Sequence, residues 1–95
     1  SQVSLEKEAR RTLRDCHKKA GMIAVCMDLK SIAFPAISTG VYGCPMQTCA
    51  EVALKWAKDY ITDNGWPLDV TFYIYDPADV TVWQKVAAEL GVEVQ

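Results

Sequence analysis

Two short apolar segments, residues 31–37 (SIAFPAI) and 70–75 (VTFYIY), stand on either side of one amphipathic stretch, and this spacing restricts the chain more than any other feature. The first segment is almost continuously apolar, which predicts a strand buried on both faces, as in a parallel sheet covered by helices. The second is rich in β-branched and aromatic residues, which suit a pleated surface. Between them, Ala50, Ala53, Ala57, Tyr60 and Ile61 recur at helical spacing. Pro45 fits the first helical position, and Asn64-Gly65 is a helix stop near Asp63. Two strands joined through a helix pair in parallel, so the fold class is α/β. Pro35 cannot donate to a ladder, which predicts an irregular or edge position near the C-terminal end of its strand.

Helices flank this unit on both sides. Ser4 is an N-cap candidate, and Leu5, Ala9, Leu13, Cys16, Ala20, Ile23 and Met27 follow at steps of three and four, a stripe facing a core. Gly21 interrupts that stretch at about 1 kcal/mol relative to Ala. The stripe keeps its phase across it, so one helix is expected rather than a break with a strand over residues 22–27. After the second strand, Asp76-Pro77 starts a helix lined by Val80, Trp83, Val86, Ala87 and Leu90, and Gly91 closes it. The whole of residues 1–95 reads as one α-β-α-β-α unit. A two-stranded sheet leaves edges and apolar surface uncovered. Completion by an upstream half of the same domain, a partner chain or a swapped homodimer is therefore expected, in preference to an autonomous mini-fold.

The net charge of −2 supplies no global positive field, so nucleic acid is not an expected partner, although a local basic patch is compatible with it. Cys16, Cys26, Cys44 and Cys49 form no C-x-x-C pair, and His17 is the only histidine, so no zinc site is predicted. No secretory signal is evident and three of the four cysteines fall in predicted helices. Reduced thiols in a cytoplasmic or nuclear setting are expected. No apolar run is long enough to span a membrane.

The turn after the first strand carries the chemistry. Ligands of parallel sheets bind beyond the carboxyl ends of the strands. Ser38, Thr39, Gly40, Val41, Tyr42 and Gly43 lie at such an end, just before a helix N-terminus whose first N–H groups lack partners. The two glycines allow close backbone approach, and the two hydroxyls add donors. This is a phosphate cradle by its physics, although a plain strand-to-helix turn has the same ingredients.

The wording of residues 31–45 (SIAFPAISTGVYGCP) closely resembles the second ligand loop of macrodomains of the MacroD and YmdB type, where the segment reads much like FPAISTGVYGYP. The likeness extends to Leu13–Ser31 and to Val70–Leu90. Cys44 replaces an expected aromatic or small residue. The resemblance implies a three-layer α/β/α domain of which this chain is the C-terminal part. It implies that backbone N–H groups from Ser38 to Tyr42 hold the diphosphate of ADP-ribose. Tyr42 packs on the distal ribose, Gly43 keeps the loop close, and Tyr75 lies near the adenine. The rival readings are that Tyr42 only covers the core edge and that Tyr75 packs against a helix. Asp76 reads as a helix cap rather than a ligand. The family's other loop, an Asn-Ala-Ala-Asn segment with a Gly-rich stretch, does not occur in this sequence, nor does a convincing general base.

The expected partners are therefore ADP-ribose or an ADP-ribosylated protein, with no cofactor. Hydrolysis of mono-ADP-ribosyl or O-acetyl-ADP-ribose esters is expected if the other half is supplied. The alternative is a non-catalytic module for poly(ADP-ribose), RNA or protein. His17 and the basic stretch Arg10, Arg11, Arg14, Lys18 and Lys19 read as solvated helix surface, Cys44 as no more than a weak thiol candidate, and Trp56, Trp66 and Trp83 as packing residues at element ends.

Overall fold

A computed structural model describes residues 2–37 and 44–94. Helix α1 (Gln2–Cys26) runs unbroken through Gly21. Its buried positions are Ala9, Leu13, His17, Gly21 and Ala24. This stripe shares Ala9 and Leu13 with the expected one and then diverges by one residue, leaving Cys16, Ile23 and Met27 exposed; Leu5 is exposed as well. The cause is aromatic packing. Phe34 and Trp56 seat on His17, with ring centroids 4.8 and 5.7 Å away. A Cβ on Gly21 would lie 2.5 Å from Trp56 Cζ2, so the glycine is where α1 lets the indole in. His17 is thus 1% exposed, not solvated, and Trp56, near the end of α2, is a buried packing residue.

Strands β1 (Ser31–Pro35) and β2 (Asp69–Tyr73) pair in parallel, from Ser31↔Asp69 to Pro35↔Tyr73. Pro35 occupies the last rung, where a missing N–H does least harm. β2 is shifted from the expected 70–75, so Tyr75 stands beyond it. Burial alternates along both strands. Phe34 and Phe72 stack at 5.7 Å on the helical side, whereas Ser31, Ala33, Pro35, Asp69, Thr71 and Tyr73 are exposed. Among the described residues only one face of β1 is covered, and the other stands open.

Helix α2 (Met46–Ala57) continues into a turn of π-helix (Lys58–Asp63). Pro45 is its N-cap rather than its first helical residue. The wide turn ends where Asp59 O accepts from both Asn64 N (3.2 Å) and Asn64 Nδ2 (2.8 Å), and Gly65 follows at φ 68°. Helix α3 (Pro77–Leu90) packs on α2 through Ala50, Ala53, Leu54, Trp83, Val86 and Ala87. Trp83 Nε1 reaches Met46 Sδ at 3.2 Å. The result is an α/β fold with a helical layer on one side of a parallel sheet.

Candidate functional site

Because β1 and β2 are parallel, the helices that follow them start at the same edge of the sheet. The two N-termini are finished differently. At α3, the Asp76 carboxylate accepts from Ala78 N at 2.9 Å and Asp79 sits in the first turn. Carboxylates there satisfy the orphan N–H groups and the positive end of the macrodipole, worth roughly half an elementary charge. At α2, Pro45 offers no side-chain cap and the first turn holds no acidic residue. The first ladder bond in the vicinity is Cys49 N to Pro45 O, 3.1 Å. One helix end at this edge is therefore neutralised from within, whereas at the other no described side chain does so.

Ser38, Thr39, Gly40, Val41, Tyr42 and Gly43 lie outside the described residues. Their flanks are described: Ala36 and Ile37 on the β1 side, Cys44 and Pro45 on the α2 side. Tyr75 follows β2 at the same edge and is fully exposed, at 103% relative accessibility. The rival expectation, that it packs against a helix, does not hold. Its neighbour Ile74 turns to the α2–α3 core instead. Asp76 is engaged as a cap, as its sequence context implies.

Cys49, in the first turn of α2, is no candidate for thiol chemistry. Cys49 is buried, its Sγ approaches Cys44 O at 3.9 Å, and loss of solvent, reinforced by its contact with Cys44, pushes its pKa up to about 12. A thiol so held stays protonated and inert. Among the described residues no group of three His, Cys, Asp or Glu side chains is placed to hold a metal ion. Nor, among these residues, is any helix long and apolar enough to cross a membrane. What the sequence did not disclose is His17: its Nδ1 donates to Leu13 O at 2.7 Å, its Nε2 is buried without a partner among the described residues, and burial lowers its pKa. A lone histidine between Cys16 and Lys18 gave no sign of this, because the signal lies in the phase of aromatic residues elsewhere.

Residues 2–53 match the family model described as Macro domain. An O-acetyl-ADP-ribose deacetylase of Escherichia fergusonii is 38% identical over 81 residues, covering 85% of this chain and 46% of that protein. The O-acetyl-ADP-ribose deacetylase of Escherichia coli K12 is 33% identical over 88 residues, covering 93% and 50%. Among solved structures, the Oceanobacillus iheyensis macrodomain with ADP superimposes with a TM-score of 0.76 at 31% identity, over 85% of this chain and 42% of that one. A Trypanosoma brucei macrodomain gives 0.72 at 27% identity, over 80% and 32%. The chain spans about half the length of the curated relatives it matches.

Proposed function

The chain belongs to the macrodomain family, and from that premise we propose that it binds ADP-ribose, supplying the diphosphate- and ribose-holding loop of the site. The observation that carries this reading is the N-terminus of α2, shortly after residues 38–43, which no described side chain caps and whose first turn is free of acid, at the edge where its counterpart α3 is capped. A diphosphate there gains backbone N–H donors and a favourable dipole. Ser38, Thr39, Gly40, Val41, Tyr42 and Gly43 are assigned to the diphosphate and distal ribose, and the exposed Tyr75 ring to the adenine side. The names of the relatives, O-acetyl-ADP-ribose deacetylases, and the ADP held by one structural neighbour support the ligand class.

Hydrolysis of mono-ADP-ribosyl or O-acetyl-ADP-ribose esters is the finer part of the proposal. The loop would orient the substrate for attack by water, which converts an encounter problem into a positioned one. Asp76 already serves as a cap and is not assigned to this step; the remaining groups are assigned to a complementary half-domain or to a homodimer partner. Calorimetric titration of ADP-ribose tests the binding reading. Binding that Gly40→Glu abolishes supports it; binding unchanged by Gly40→Glu would falsify the loop assignment.

A further inference from the structure

We propose a second anion site, in the groove between α1 and the later turns of α2, that takes the oligophosphate of a small nucleotide-like ligand. It goes beyond the ADP-ribose reading and does not depend on it. The groove has a volume of about 270 Å³. Arg10, Arg11 and Arg14 line it from α1, and Lys55 faces them from α2. Asp59 is the one carboxylate in its wall, so four cations meet one anion in a chain whose net charge is −2.

The cations are not equivalent. Arg10 is held by Glu6 (3.6 Å) and Glu51 (3.3 Å), which fixes its place at the rim. Arg11, Arg14 and Lys55 have no ion-pair partner among the described residues. Arg10 and Arg14 are four residues apart and Arg11 and Arg14 three, spacings at which like charges on a helix repel. A bound anion removes that repulsion. Guanidinium forks match phosphate oxygens in bidentate geometry, which selects phosphate over a point-like anion. Val52 and Trp56 form the floor, and apolar walls strengthen the field of the cations above them. Trp56 Nε1 is a buried donor with no partner among the described residues.

The adjoining groove, about 350 Å³, shows what the charge balance decides. It shares Arg10, Val52 and Lys55 but adds Glu51 and Glu89, which cancel its positive character. The anion chemistry is therefore confined to the first groove. Lys55 lies nine residues along α2 from its first residue, about 14 Å at 1.5 Å per residue, so this site is separate from the sheet edge.

The experiment follows backbone amide shifts of the full chain during titration with inorganic tripolyphosphate, and in parallel with a nucleoside triphosphate. Saturable shifts clustered at Arg10–Arg14 and Val52–Asp59 are expected. Tripolyphosphate alone sufficing identifies the phosphates as the recognised group; a requirement for the nucleoside overturns that part. R11Q/R14Q is expected to weaken binding at least tenfold, whereas K19Q/K85Q, an equal charge change away from the groove, leaves it within twofold. Equal weakening by both pairs, shifts confined to residues 36–46, or an oligo-aspartate peptide binding as tightly as tripolyphosphate each overturns the proposal. Because the readout is resolved by residue, failure here is distinguishable from failure of ADP-ribose to bind at the loop.

Discussion

His17 shows how one side chain converts packing into pH dependence. Its ring is enclosed by Phe34, Trp56 and Phe72, and its pKa is lowered from 6.5, chiefly by burial, against the opposing bond to Leu13 O. The folded state therefore refuses a proton that the unfolded state accepts. Well above pH 6.5 both states hold neutral imidazole and the stability is complete. As pH falls below that value, stability should drop by up to about 1.4 kcal/mol per pH unit until the folded pKa is passed. Urea denaturation between pH 7.5 and 5 checks this, and His17→Leu should remove that part of the slope. Gly21 makes a second prediction. Alanine there gains about 1 kcal/mol of helix propensity. Its Cβ, however, meets an indole fixed between His17 and Phe34, and overpacking of this kind costs about 1–3 kcal/mol. A net loss of up to roughly 2 kcal/mol is expected in the same assay. An unchanged or raised denaturation midpoint would mean that α1 does not approach Trp56 this closely.

At the scale of elements, the legible parts of the sequence were those set by local chemistry. Asp76-Pro77 declared a capped helix and Gly91 its end, and both are observed, with Gly91 at φ 72°. The parallel pairing followed from strand, helix, strand in that order. Less legible were features set by contacts between elements. The face of α1 was misjudged after Leu13 because Phe34 and Trp56, distant in sequence, choose His17 and Gly21 over Cys16 and Ile23. The π turn after α2 was not foreseen, since Lys58–Asp63 carries no Pro or Gly to announce it. Of the candidate site, residues 38–43 were marked by their composition, but the contrast between the α2 and α3 N-termini needed coordinates. That contrast is testable at α3. Asp76→Ala removes a cap worth about 1 kcal/mol. Thermal denaturation should show the loss, while ADP-ribose affinity, if it depends on α2, stays within twofold. A large loss of affinity would instead make Asp76 or its neighbour Tyr75 a direct contributor.

At the scale of the molecule, the decisive feature is what the chain leaves uncovered. One face of the sheet exposes Ala33, Pro35 and Tyr73, and α1 exposes Leu5, Met22, Ile23 and Met27. Exposed apolar surface on this scale belongs to interfaces rather than to finished surfaces. Superposition on the Oceanobacillus iheyensis macrodomain accounts for 42% of that structure, so a macrodomain has further elements available to lie against these residues. The proposed completion predicts specific behaviour. By itself the chain should bind an apolar dye and take up ADP-ribose weakly. Mixed with a polypeptide carrying the N-terminal half of a macrodomain, it should form a one-to-one complex by sedimentation, lose dye fluorescence, and bind ADP-ribose at least tenfold more tightly. Met27→Asp and Ile23→Asp lie outside both the loop and the basic groove, so they should weaken that complex without touching the phosphate shifts of Arg11 and Arg14. A homodimer that already hides the dye-binding surface and binds ADP-ribose at full strength would replace the half-domain reading by self-association. Persistence of dye binding and monomer sedimentation with every partner tried, together with full ADP-ribose affinity, would show that the loop edge works without the cover that its exposed apolar face otherwise demands.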